Sequence, residues 1–153
     1  MSWTLLTFDH KQPVWLQELM QIYIKRIKFW IPFEHKIVPP SGLSNIIQAQ
    51  AVDWEKFQSN KILSKKRLVI FDENGSMPTS IKLSSLVSQW EIQKEICFII
   101  GPSYGLGPEW KKNATQTLSL SSLTLTHEFA QLIVTEQLYR AFTILKGLPY
   151  HVA

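Results

Sequence analysis

A single cysteine, Cys97, stands among 153 residues, which excludes an internal disulfide and a zinc site built from cysteines. Set in Ile96-Cys-Phe-Ile-Ile100, it reads as a small core residue rather than a nucleophile, which would want a charged, accessible setting. Long apolar runs are missing as well. The longest, such as Ile96 to Ile100, are strand-sized against the roughly 20 residues of a membrane span, so no membrane association is expected. The first ten residues lack a basic region ahead of their short apolar stretch, which argues against a secretory signal and for a cytoplasmic protein. Charged residues are sparse at 18%, but hydrophobic ones reach 45%, too apolar for a disordered chain. The length suits one domain over residues 1–153.

What charge there is lies unevenly. Residues 1–67 hold ten basic and five acidic side chains, whereas residues 68–153 hold six and seven. The front half therefore carries the positive field. Its cluster Lys25, Arg26 and Lys28 is interleaved with Tyr23, Phe29 and Trp30, a combination suited to RNA, because cations bind phosphates and rings stack on unpaired bases. A solvated helix face with core aromatics behind it explains the same pattern.

Strands and helices alternate along the chain. Trp3 to Phe8 reads as a first strand, and Leu16, Leu19, Met20, Tyr23, Ile24 and Ile27 recur at helical spacing over residues 13–29. Phe33, Ile37 and Val38 suggest a second strand, stopped by Pro39-Pro-Ser-Gly42, and residues 43–62 read as a helix. Leu68 to Phe71 is a buried strand ending in the turn signal Asp72-Glu-Asn-Gly75. Ser80 is placed to cap a helix over Leu83, Leu86, Val87 and Trp90, and Ile96 to Ile100 is a further buried strand. This order predicts an α/β fold with a largely parallel sheet flanked by helices. Ligands of such sheets lie beyond the strands' carboxyl ends.

After the last of those strands comes Gly101-Pro-Ser-Tyr-Gly105-Leu-Gly107, leading to a helix near Pro108. It matches neither the dinucleotide spacing nor a Gly-Lys-Ser/Thr phosphate loop. It fits a close backbone approach to a ligand or a simple structural turn. Leu118 to His127 interleaves leucines with hydroxyls, too polar for a buried parallel strand and too apolar for a solvent loop. Such a run predicts backbone held inside the protein by its own hydroxyls. Thr126 or His127 opens a helix over residues 128–146 whose polar stripe is so narrow that one sheet cannot cover it; a two-fold dimer would supply the second face. Gly147 ends it.

These segments carry a resemblance. Ile100-Gly101 with Gly105-Leu106, the run Leu118 to His127, Glu136-Gln-Leu-Tyr-Arg-Ala141 and Pro149-Tyr-His151 resemble the ribosomal RNA large-subunit methyltransferase H family, of the SPOUT class of knotted methyltransferases. The resemblance implies a C-terminal trefoil knot, a homodimer and S-adenosylmethionine bound among the knot loops, with no metal. It also implies methylation of N3 of a pseudouridine in 23S rRNA, on the assembled ribosome. Carried over by position, the cofactor contacts are Phe71, Gly101, Pro102, Gly105 and the stretch Ser121, Ser122, Leu123, Thr124, Leu125 and Thr126. Tyr150 and His151 match the tail facing the target nucleotide, with His151 suited to accept the imide proton. Arg140 is placed either to hold an RNA phosphate or to pair with Glu136, and His127 to hydrogen-bond at the helix start. Lys25, Arg26 and Lys28 remain the RNA-binding candidates.

Three positions depart from the family pattern. Pro102 stands where Ile-Gly-Gly-Pro-Glu-Gly has its second glycine, which deletes an amide hydrogen. Asp9 replaces a glycine, and Gly147 an asparagine near the tail. These departures leave room for an alternative: a non-catalytic RNA-binding or ribosome-binding dimer on the same fold.

Overall fold

The computed structural model describes residues 2–152. Five strands form one parallel sheet in the order β2-β1-β4-β3-β5, with β1 at Trp3–Phe8, β2 at Phe33–Val38, β3 at Arg67–Ser76, β4 at Ile96–Ile100 and β5 at Gln116–Leu118. Alternate side chains divide between the two faces, as the pleat requires. Trp3, Leu5, Val69, Ile96, Phe98 and Ile100 point to one side, under helices α1 (Val14–Ile27), α3 (Ser80–Gln93) and α5 (His127–Leu145). Leu6, Phe8, Leu68, Ile70, Cys97 and Ile99 point to the other, under α2 (Ile46–Ser59) and α4 (Pro108–Lys112).

Both faces are covered, which is why residues 68–71 of β3 and the whole of β4 are continuously apolar. Trp3 anchors the first layer, its ring 5.3 Å from Phe98 and 5.4 Å from Phe142. Trp110 anchors the second, 4.8 Å from Phe57 and 5.1 Å from Trp54. Cys97 lies buried among these groups, and burial pushes its thiol up to about 12.

Four expectations need correction. The helix expected over 43–62 is α2 alone, capped by Asn45 and followed by a short 3-10 turn at Leu63–Lys65. Thr79, not Ser80, caps α3: its Oγ1 accepts from the Lys82 amide at 3.1 Å. The turn at Asp72-Glu-Asn-Gly75 does not end β3. Phe71 and Ser76 both pair with Leu118, so residues 72–75 bulge out of the ladder and the strand resumes. Finally, much of the second face of α5 is met within the chain, because the helix lies between α1 and α3.

Candidate active site

The bulge after Phe71 in β3 and the carboxyl end of β4 open into a cavity of about 390 Å³. Its floor is Phe71, Ile100 and Leu106; the glycine loop forms one wall and residues 119–125 the other, with His127 and Ala130 from the start of α5 closing it. Of the ten positions singled out for the cofactor, Phe71, Gly101, Pro102, Gly105, Ser121, Leu123, Thr124 and Leu125 line this space. Ser122 is absent from the lining, and Thr126 is instead the N-cap of α5, accepting from the Phe129 amide at 3.3 Å.

Local chemistry explains both walls. A Cβ on Gly101 would sit 2.6 Å from Leu106 Cγ, so only glycine lets Leu106 fold back as floor. Across the cavity, Ser119 Oγ donates to the Ser121 carbonyl at 3.0 Å and Ser121 Oγ accepts from the Leu123 amide at 2.9 Å. These hydroxyls serve backbone that no ladder reaches. The run is not held inside the protein as expected: Ser122, Leu123 and Thr124 are exposed, because local hydroxyl bonds and water can satisfy the loop's backbone there.

Asp72 and Glu73, not singled out individually by the sequence, lie in the turn after Phe71, one of the two turns where a ligand of such a sheet is expected, and they line the cavity. Asp72 Oδ1 accepts from the Asn74 amide at 2.9 Å, and its other oxygen lies 3.4 Å from Lys111 Nζ. The rule that ligands lie beyond strand ends points to this turn, but it does not say which of its side chains face the space. His127, expected to hydrogen-bond at the helix start, instead has its Nε2 3.1 Å from Asp9 Oδ1 and out of line for a hydrogen bond. Asp9 Oδ2 in turn accepts from the buried Gln131 amide at 2.8 Å.

The tail residues form a second cluster. Glu136 Oε1 accepts from Arg140 Nη2 at 2.7 Å, Arg140 Nε at 3.0 Å and the Tyr150 hydroxyl at 3.0 Å. Arg140 Nη1 lies 3.1 Å from His151 Nδ1. A guanidinium can only donate, so Nδ1 accepts and the neutral ring carries its proton on Nε2. Burial, then the bond to Glu136, raises the Tyr150 phenol, and Glu136 strengthens the hold of Arg140 on its proton.

None of Arg140, Tyr150 and His151 lines the cavity of their own chain. Ala130 does, and Arg140 lies ten residues further along α5, about 15 Å of helix rise. Of the basic cluster, Arg26 lies over Tyr23 at 5.7 Å and Tyr139 at 5.2 Å, while Lys25 and Lys28 are exposed. Trp30 stacks on the core residue Phe142 at 5.4 Å, so part of the aromatic interleaving is core.

A family profile described as a predicted SPOUT methyltransferase matches residues 1–151. The chain belongs to the SPOUT methyltransferase family. Proteins named ribosomal RNA large subunit methyltransferase H are similar to it over 99% of both chains: 33% identical in Janthinobacterium sp. (strain Marseille) and 36% in Neisseria gonorrhoeae. Among solved structures, a probable methylase family protein from Haemophilus influenzae superposes with a TM-score of 0.57 at 12% identity, covering 95% of this chain and 66% of that one. TrmJ from Z. mobilis gives 0.51 at 12% identity, over 94% and 70%. These likenesses confirm the SPOUT methyltransferase fold as a parallel sheet between helices. Among the described residues, no helix is long and apolar enough to cross a membrane, and no group of three or more His, Cys, Asp or Glu could hold a metal ion.

Proposed function

We propose that the chain is an S-adenosylmethionine-dependent methyltransferase acting on N3 of a pseudouridine in 23S rRNA. In this reading residues 1–153 are one knotted domain, working as a cytoplasmic homodimer on the assembled ribosome. The observation that carries it is the cavity, because it is lined by the two segments that resemble the family's cofactor loops. The residues present fit the donor. The volume suits a nucleoside-sized ligand, the floor is apolar, and the Asp72 and Glu73 carboxylates favour a cation.

When bound, the cofactor supplies a methyl group on a positively charged sulfur. Ile100, Leu106 and Phe71 exclude water, and the flanking walls fix orientation, which is most of what an in-line displacement asks of a protein. The tail has the proton to move. His151 Nδ1 holds the ring's lone pair but spends it on Arg140. An RNA phosphate that draws Arg140 away would free Nδ1 to take the N3 proton, so the phosphate and Glu136 roles of Arg140 become two states of one residue. Because the tail lies far along α5 from its own cavity, a second copy would have to bring its tail to this one. An apolar band on α1 and α5, with Trp15, Leu19, Ile22 and Phe129 all exposed, supports such a dimer.

The test is transfer of labelled methyl from S-adenosylmethionine to ribosomes lacking the modification, followed by mass mapping of the rRNA. Label at N3 of one pseudouridine is expected; label on protein, on DNA or nowhere overturns the assignment. Pro102, an amide-less residue in the cavity wall, favours the second reading of a non-catalytic RNA-binding dimer. Absence of any calorimetric heat at millimolar cofactor would select it.

A further inference from the structure

The glycine loop between β4 and α4 is held from behind. Gly101, Pro102, Ser103, Gly105 and Leu106 face the cavity, but Tyr104 does not. Its hydroxyl donates to Asp53 Oδ2 on α2. Asp53 is 3% exposed, and its other oxygen accepts from the Ser41 amide at 3.2 Å. One turn away, Gln50 Nε2 donates to the carbonyls of Tyr104 and Gly105 at 3.2 and 3.4 Å. A Cβ on Gly107 would come within 3.1 Å of Gln50 Cβ, so loop and helix are in close contact. The loop's own support is one turn bond, from the Gly105 amide to the Pro102 carbonyl at 2.8 Å.

We propose that Tyr104, Asp53 and Gln50 are positioning residues that clamp the cavity wall in its ligand-binding shape. The proposal deepens the methyltransferase reading and rests on it for the identity of the ligand. Physically, a loop that lacks an amide at Pro102 has fewer ways to be fixed by its ligand, so its shape must be set before binding. A buried carboxylate sets it well, because leaving Asp53 without the phenol would strand an acceptor. Burial and the contact with Asp53 also raise the Tyr104 phenol, consistent with its donating to that carboxylate.

The experiment compares the wild type with Tyr104→Phe and with the double variant Tyr104→Phe/Asp53→Asn, which carries no stranded charge. Two readouts are used: calorimetry with S-adenosylmethionine, and amide hydrogen exchange of residues 101–107 in the ligand-free protein. In both variants Kd should rise about tenfold, and exchange at Gly105 and Leu106 should speed up by a similar factor. In the double variant the melting temperature should stay at the wild-type value. Cofactor binding within twofold of wild type, or unchanged loop exchange, in the double variant overturns the clamp. If the wild type itself gives no heat, the methyltransferase reading fails instead, and loop exchange alone decides the clamp.

Discussion

His35 sits half-buried on β2 with its Nε2 2.8 Å from Thr7 Oγ1. Burial lowers its pKa from 6.5 to about 4, against the opposing pull of the Asp9 charge. Between those values the unfolded chain takes up a proton that the folded chain refuses, so stability, full above 6.5, declines as the pH falls. The loss is at most about 1.4 kcal/mol per pH unit. His35→Gln should flatten this acid limb, measured as the difference in urea unfolding free energy between about pH 7 and about pH 4.5. A slope equal to wild type would show that other groups set it. At the tail, His151→Ala should slow methyl transfer by about a hundredfold or more, the scale of a lost general base. Cofactor affinity should hardly move. Single-turnover rates and calorimetry separate the two, and equal effects on both would remove the base from His151.

β3 is the element whose irregularity matters most. Gly75 closes its bulge against β5 so tightly that a Cβ would stand 2.6 Å from the Thr117 carbonyl oxygen and 2.7 Å from Leu118 backbone atoms. Gly75→Ala should therefore lose about 1–3 kcal/mol, the cost of overpacking, seen as a lower urea midpoint. An unchanged midpoint would mean that β5 is free to move. This element also marks the limit of what the chain discloses by itself. Leu68 to Phe71 and Ile96 to Ile100 are legible as strands because both faces are covered. β5 is not, because Gln116–Leu118 has too few residues to show a period. Asp72 to Gly75 announce a turn, but whether a strand returns after a turn is decided by its neighbour. The cavity divides the same way. Gly101 to Leu106 and Ser121 to Leu125 stand out as motifs and the turn after Phe71 as a place to look, while the Asp9 contact with His127 arises from residues far apart in sequence.

At the scale of the molecule, α5 lies between α1 and α3 and still leaves Phe129 exposed beside Trp15, the rings 5.9 Å apart. With Leu19 and Ile22 this apolar strip is where the proposed twin subunit would sit. Leu19→Glu should yield a folded monomer by light scattering, with normal helix content and methyl transfer reduced about a hundredfold or more, the scale of a lost general base. A dimer that survives the substitution would place the interface elsewhere. The bulge in β3 has a consequence of its own. Asp72, Glu73 and Asn74, looped out of the ladder ahead of the tightly packed Gly75, can change charge without asking the sheet to re-register. On the proposed reading, reversing both acids there to lysines would turn an enclosure that suits a positive guest into one that prefers a negative one. The entrance to this fold is thus editable independently of its frame.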